Sequence, residues 1–171
     1  DYVLPLENNA RLEMGYQFRY LFHLGEFSYN EKVLGTPTFI KRPEFGGNVD
    51  LQRTIHALYT QYTGKTGKLD YSAGLRLEHT DRLLSEEDGT RYPLELLNLF
   101  PSVNLLYDLG NNYSLKAGYS RRIERTTTSM MNPFLARRHS EVLEEGDPEL
   151  LPEFIDAIEA GIIKEFDQHS F

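Results

Sequence analysis

The chain has 171 residues, the length of one domain or of one piece of a larger one. Its 18 Lys and Arg against 26 Asp and Glu leave a formal charge of −8 with no dense basic stripe, which argues against general nucleic-acid binding through phosphate attraction. There is no Cys, so disulfides, thiolate metal sites, Fe–S clusters and Cys nucleophiles are excluded, while 11 Tyr and 10 Phe are too many aromatics for a disordered chain. Asp1 to Pro5 lacks the charged start and apolar core of a signal peptide. No run approaches the ~18 consecutive apolar residues of a transmembrane helix. A transmembrane strand needs only about 10 residues of alternating polarity, so membrane strands stay open.

Arg11 to Phe22 carries the strongest pattern. Leu12, Met14, Tyr16, Phe18, Tyr20 and Phe22 share one parity, and Arg11, Glu13, Gly15, Gln17 and Arg19 share the other. Period two predicts a strand with one apolar and one polar face. His23 to Asp50, punctuated by Gly25, Gly35, Pro37, Pro43 and Gly46-Gly47, is expected to be a long irregular loop. Leu51 to Tyr62 is strand-like, with Ile55, Ala57 and Tyr59 on one parity and a mixed set on the other, so its outward face stays open. Thr63 to Lys68, with Gly64 and Gly67, predicts a short hairpin turn. Leu69 to Thr80 alternates cleanly, and Asp81 to Leu99, with the acidic turn Glu86-Glu87-Asp88-Gly89, is expected to be a second long connection. Ser102 to Leu109 and Tyr113 to Arg125 alternate on either side of Gly110-Asn111-Asn112, a tight turn of residues that tolerate positive φ. Thr126 to Pro152 is a third long connection, and Phe154 to Phe166 fits either a strand or a helix.

The expected fold class is all-β: an antiparallel up-and-down meander of about six strands, at 11–22, 51–62, 69–80, 102–109, 113–125 and 154–166. Long and short connections alternate, which places every long loop at one end, as in outer-membrane barrels. Tyr62, Tyr71, Tyr107 and Tyr113 flank the short turns, where an interfacial aromatic belt would lie. Tyr is also common in any strand. A soluble β-sandwich that binds carbohydrate or another ligand would alternate in the same way, though it does not explain the segregated loops.

The second half is more specific. It reads Leu99-Phe100-Pro101-Ser102, Tyr119-Ser120-Arg121-Arg122-Ile123-Glu124-Arg125, Asn132-Pro133-Phe134 and Gly146-Asp147-Pro148-Glu149-Leu150-Leu151-Pro152-Glu153, after Ser72-Ala73-Gly74-Leu75-Arg76-Leu77-Glu78. In this order and spacing the segments resemble the barrel of TonB-dependent outer-membrane receptors, of the Bacteroidetes-type "outer membrane protein beta-barrel" family. Asp147 stands where that family usually has Asn, Thr126 where Pro is usual, and the last strand is richer in Ile and Ala. The resemblance implies a partial segment of a large transmembrane β-barrel in the bacterial outer membrane, belonging to a nutrient importer without enzymatic activity or cofactor. It also implies a strand over 154–166. The implied partners are outer-membrane lipid, a plug and barrel strands missing from this chain, TonB acting through that plug and, in some relatives, a surface lipoprotein cap.

Other chemistry is thin. Gly64-Lys65-Thr66 ends like a phosphate-binding loop, but Tyr59 stands where its first Gly is needed and a strand follows. His23, His56, His79, His139 and His169 show no metal-ligand spacing. His79 beside Glu78 and Asp81 could bind a cation at a loop base. Glu141, Glu144, Glu145, Asp147 and Glu149 form an acidic cluster that could offer oxygen ligands, without an EF-hand pattern. No metal site is assigned, and no catalytic constellation can be argued from spacing. Arg121, Arg122 and Arg125 approach the loop end of a strand. Arg76, Glu78 and Arg122 share the polar parity, and under the resemblance they are the candidate lumen-facing or ligand-facing residues. Structural ion pairing is favoured over contact with an anionic substrate.

Overall fold

A computed structural model describes residues 1–139 and 142–165. Glu141 and His169, weighed above as ligands, and Phe166, expected to end the last strand, lie outside the described residues. The elements are β1 (Tyr2–Pro5), β2 (Arg11–Phe27), β3 (Asn30–Lys32), β4 (Phe39–Lys41), β5 (Gly47–Thr66), β6 (Leu69–Glu86), β7 (Arg91–Gly110), β8 (Tyr113–Glu124), β9 (Ala136–His139), β10 (Val142–Glu144) and β11 (Glu153–Lys164), with short 3-10 turns at Glu7–Asn9 and Pro43–Phe45. Seven of them form one sheet in the order β1-β2-β5-β6-β7-β8-β11, and β3-β4 and β9-β10 are separate hairpins. Every neighbouring pair is antiparallel. The all-β antiparallel meander expected from alternation is therefore the observed fold. The large sheet does not close on itself, and among the described residues no second sheet of comparable size covers it.

Several boundaries differ from expectation. The strands run at 11–27, 47–66, 69–86, 91–110, 113–124 and 153–164, longer than read from alternation in all but the last two. An additional strand, β1, pairs with the start of β2, from Tyr2 opposite Met14 to Pro5 opposite Arg11. Its four residues are too few for periodicity to show. The expected second long connection, Asp81 to Leu99, is not a loop. β6 and β7 continue through it as a ladder from Arg82 opposite Leu94 to Ser85 opposite Arg91, leaving only residues 87–90 as the turn. Strict alternation of long and short connections fails there, although its geometric consequence survives. The connections at 6–10, 67–68 and 111–112 share one end of the sheet, and those at 28–46, 87–90 and 125–152 share the other.

The short turns follow from local chemistry. Asn111 and Asn112 take φ of +53° and +64°, the pair of left-handed residues that a two-residue hairpin with the native strand twist demands. Gly67 takes +58° at the first central position of its turn, which is narrower than the expected 63–68 because Gly64-Lys65-Thr66 stays in β5. The last segment is a strand, β11, paired with β8 from Glu153 opposite Glu124 to Lys164 opposite Tyr113.

Candidate functional site

The register sorts every side chain to one of two faces. Opposite residues in a ladder share a face, so the apolar parity of β2 can be followed across the sheet. Tyr16 lies opposite Leu58, Leu58 opposite Leu77 and Leu77 opposite Leu99. Two same-face positions closer to the short turns, Leu12, Tyr62, Ala73, Val103, Tyr119 and Ile158 form a row across six strands. This decides the ambiguous strand: Thr54, His56, Leu58, Thr60 and Tyr62 join the apolar face, and Ile55, Ala57 and Tyr59 take the other. The apolar face is open. Tyr16, Phe18, Leu58, Leu75, Leu99, Val103, Leu105 and Leu115 are all exposed, and Ile158 is 84% exposed. Tyr62, Tyr71, Tyr107 and Tyr113 stand at its short-turn border, with the Tyr62 and Tyr71 rings stacked at 5.9 Å.

The opposite face divides into two zones. Near the short turns and mid-strand it is polar: Gln17, Tyr59, Gln61, Arg76 and Ser102 line a depression of about 500 Å³. Gly74 keeps that depression open, since a Cβ there would come to 2.7 Å from Ser102 Oγ. Near the long connections the same face becomes apolar. Val49, Leu51 and Leu84 are buried against Met131, with Phe27, Tyr92, Phe134 and Leu150 packed around them. There the outward residues of the same strands are Gln52, Thr54, Asp81, Ser85 and Glu95. The polarity of the two faces thus inverts part-way along β5, β6 and β7.

The apolar zone is roofed by the connection 125–152. Arg82, 3% exposed, fastens this strap. Its Nη1 donates to Thr126 Oγ1 at 3.0 Å and to the Leu150 carbonyl at 2.8 Å, and its Nη2 to the Pro148 carbonyl at 3.1 Å. Arg53, directly opposite Arg82 in the ladder, donates from Nη2 to the Thr126 carbonyl at 2.9 Å. Within the strap, Asn132 accepts from the Phe134 amide at 3.1 Å, and its carbonyl accepts from the Gly146 amide at 2.7 Å. The Asn-Pro-Phe and Gly-Asp-Pro segments are therefore two halves of one fastener. Sequence reasoning missed Arg53, Arg82 and Met131. Arg82 lay in a presumed loop, and its parity with Arg76 and Glu78 was the available signal.

Of the candidate residues, Arg76 and Glu78 come together and Arg122 does not join them. Arg76 Nη2 lies 2.9 Å from Glu78 Oε2 and donates to Gln17 Oε1 at 3.0 Å. Glu78, buried, also pairs with Arg125. Pairing between β7 and β8 stops at Ser102 opposite Ser120, so β8 parts from its neighbour before Arg122, which faces only Ile155 of β11 and is exposed. Arg125, just past the end of β8, occupies the place expected for it.

The remaining candidates are scattered. His79 Nε2 lies 2.8 Å from Glu95 Oε1 and its ring is 6.4 Å from that of His56, all on the apolar face. No group of three or more His, Asp or Glu stands together as a metal site among the described residues.

An open sheet whose outer face is aromatic and aliphatic, and whose inner face carries fixed charges, is the construction of a membrane barrel wall. The chain matches the outer membrane protein beta-barrel family over residues 1–171. The chain belongs to that family. No curated protein and no solved structure matches it. Membership places this chain in the bacterial outer membrane. From Leu69 to Leu77 the outward residues of β6 are uninterruptedly apolar. At ~3.4 Å per residue that is about 27 Å of strand, or about 21 Å of thickness at a tilt of ~40°. It approaches the ~25 Å apolar band of such barrels. In the long-connection halves of β5, β6 and β7 the outward face carries Gln52, Thr54, Asp81 and Glu95, and the strap supplies burial on the inner one.

Proposed function

We propose that this chain forms part of the barrel wall of a TonB-dependent receptor that imports a nutrient across the outer membrane, with no enzymatic activity of its own. The observation that carries this reading is the inner face: Gln17, Gln61, Arg76 and Ser102 line an open depression, and Arg19 and Glu78 bond to its Gln17 and Arg76. Fixed polar groups around open volume suit a wet lumen, whereas a narrow barrel would fill that space with packed side chains. The ordered motifs support the finer assignment, because two of them build the strap. In this reading lipid meets the apolar face, further strands complete the wall, and a plug carrying the contact to TonB occupies the lumen. A surface lipoprotein would seat at the long-connection end. Arg76 and Glu78 act as a structural ion pair in the lumen, and Arg122 stands exposed on the same strand parity.

The test is energised uptake. In cells carrying the intact barrel, accumulation of its nutrient is expected to stop when TonB is deleted or the proton-motive force is collapsed. Uptake that persists unchanged, linear in external concentration, would make this a passive pore and defeat the receptor reading.

A further inference from the structure

Four arginines crowd the inner face where strap and sheet meet, and few carboxylates answer them. Arg76 and Arg125 share Glu78, while Arg53 and Arg82 face each other in the ladder and, among the described residues, donate to carbonyls, a hydroxyl and the Met131 sulfur, none of them charged. Asp147, on the strap, is a further acid within electrostatic reach of Arg82. Like charges directly opposite one another in a sheet are destabilising, and more so where water is excluded. Arg53, Arg82, Arg125 and Thr126 line one small cavity of about 20 Å³, walled on its other sides by residues such as Leu94 and Leu96. Nε of Arg82 and Nε of Arg125 are both buried without an acceptor. Both residues border the same cavity, and buried donors without a partner call for an acceptor such as a water or an ion.

We propose that Arg53, Arg82 and Arg125 hold a small inorganic anion of halide size in this cavity. The volume admits one water molecule or one monatomic ion. A water would satisfy the donors but leave the facing guanidinium groups uncompensated, whereas chloride satisfies both requirements. The hydroxyls are already committed. Thr80 donates to Glu78 Oε1 at 3.3 Å, and Thr126 donates to Met131 Sδ at 3.2 Å, so the charged donors set the selectivity. Size excludes sulfate and organic anions. The bound anion would pin β5 and β6 to the strap from within, independently of what the barrel transports.

The experiment uses the intact barrel in detergent. Thermal unfolding is followed in sodium chloride, bromide and gluconate at equal ionic strength, and crystals soaked in bromide are examined for anomalous scattering. Chloride and bromide are expected to raise the midpoint saturably and gluconate not to. Arg53→Gln is expected to lose the saturable component, and bromide is expected to appear between Arg53, Arg82 and Arg125. Equal shifts in all three salts would reduce the effect to bulk screening and overturn the proposal. So would a water, or a carboxylate from elsewhere in the barrel, found in the cavity without a bromide peak. If Arg53→Gln does not fold, the bromide experiment on the unaltered barrel decides alone.

Discussion

A single guanidinium does more for this molecule than its sequence context announces. Arg82 bridges two carbonyls and a hydroxyl that belong to different parts of the strap, a task suited to the planar fork of Arg and not to the point donor of Lys. Arg82→Lys is therefore expected to be nearly as damaging as Arg82→Met. Each leaves acceptors unpaired, at roughly 1–3 kcal/mol apiece where water cannot replace the donor. The readouts are a lower unfolding midpoint of the intact barrel and new protease cleavage within 126–135. Gly146 makes a comparable contribution through what it lacks. A Cβ there would sit 2.7 Å from the Asn132 amide nitrogen, against backbone that cannot swing away. Gly146→Ala should open the strap without touching Arg82, a result that the same protease assay separates from loss of the sheet. At the outer turn, Asp88 accepts from the Thr90 amide at 2.8 Å, and that bond holds its carboxyl below the usual carboxylate range. A depressed folded value means that the stabilisation is complete above the ordinary Asp pKa and is lost as pH falls through the lowered one. Amide exchange at Thr90, corrected for its intrinsic pH dependence, should accelerate in that acid window. Asp88→Asn, which keeps the acceptor and removes the charge, should abolish the acceleration.

At the scale of the element, the inversion of polarity along β5, β6 and β7 explains both what could be read from sequence and what could not. In the short-turn half the rule is apolar outwards and polar inwards, and Leu69 to Leu77 displays it over enough residues to be seen. Beyond His79 the rule reverses, because Asp81 and Glu95 stand on the outward face while Arg82 and Leu84 are buried on the inner one. A reversal of parity within one strand breaks the period-two pattern, so a continuous ladder looks like a loop. The short turns were legible because Gly67, Asn111 and Asn112 announce positive φ locally. The strap was not, since it depends on contacts between residues far apart in the chain. The inversion makes a paired prediction. Leu75→Arg places a charge in hydrocarbon and should cost roughly 2–4 kcal/mol, whereas Leu83→Arg, on the same parity but above the bilayer, should cost at most about 1 kcal/mol. Truncation should rank in the opposite direction. Leu84→Ala empties a fully buried site, at about 2–5 kcal/mol, and Leu75→Ala merely exchanges one lipid-facing side chain for a smaller one. Equilibrium unfolding of the intact barrel into denaturant measures all four.

For the whole molecule the relevant fact is that the sheet is open. Among the described residues, β1 covers only the first residues of β2, and β11 pairs with β8 on one side and with no strand on the other. Unpaired backbone donors and acceptors at such edges cannot be left in hydrocarbon, so the seven strands become stable in a bilayer only as part of a closed wall. The same sheet has an apolar outside and a charged inside, and this orientation can be tested residue by residue. Phe18 and Leu75 stand on the exposed apolar face, opposite His56 and Thr60. Arg19 and Arg76 stand on the inner one, both donating to Gln17 Oε1. Spin labels at these four positions in the reconstituted barrel should divide cleanly. Positions 18 and 75 should respond to a lipid-soluble relaxer and positions 19 and 76 to a water-soluble one. Arg19→Gln should leave assembly intact, because a wet lumen can replace a lost charge contact with water. Phe18→Arg should impair assembly, because nothing in the hydrocarbon can solvate the new charge. An inverted pattern of relaxation would mean that the faces are reversed. Silence of all four labels towards the lipid-soluble reagent would contradict the placement of this sheet in the membrane.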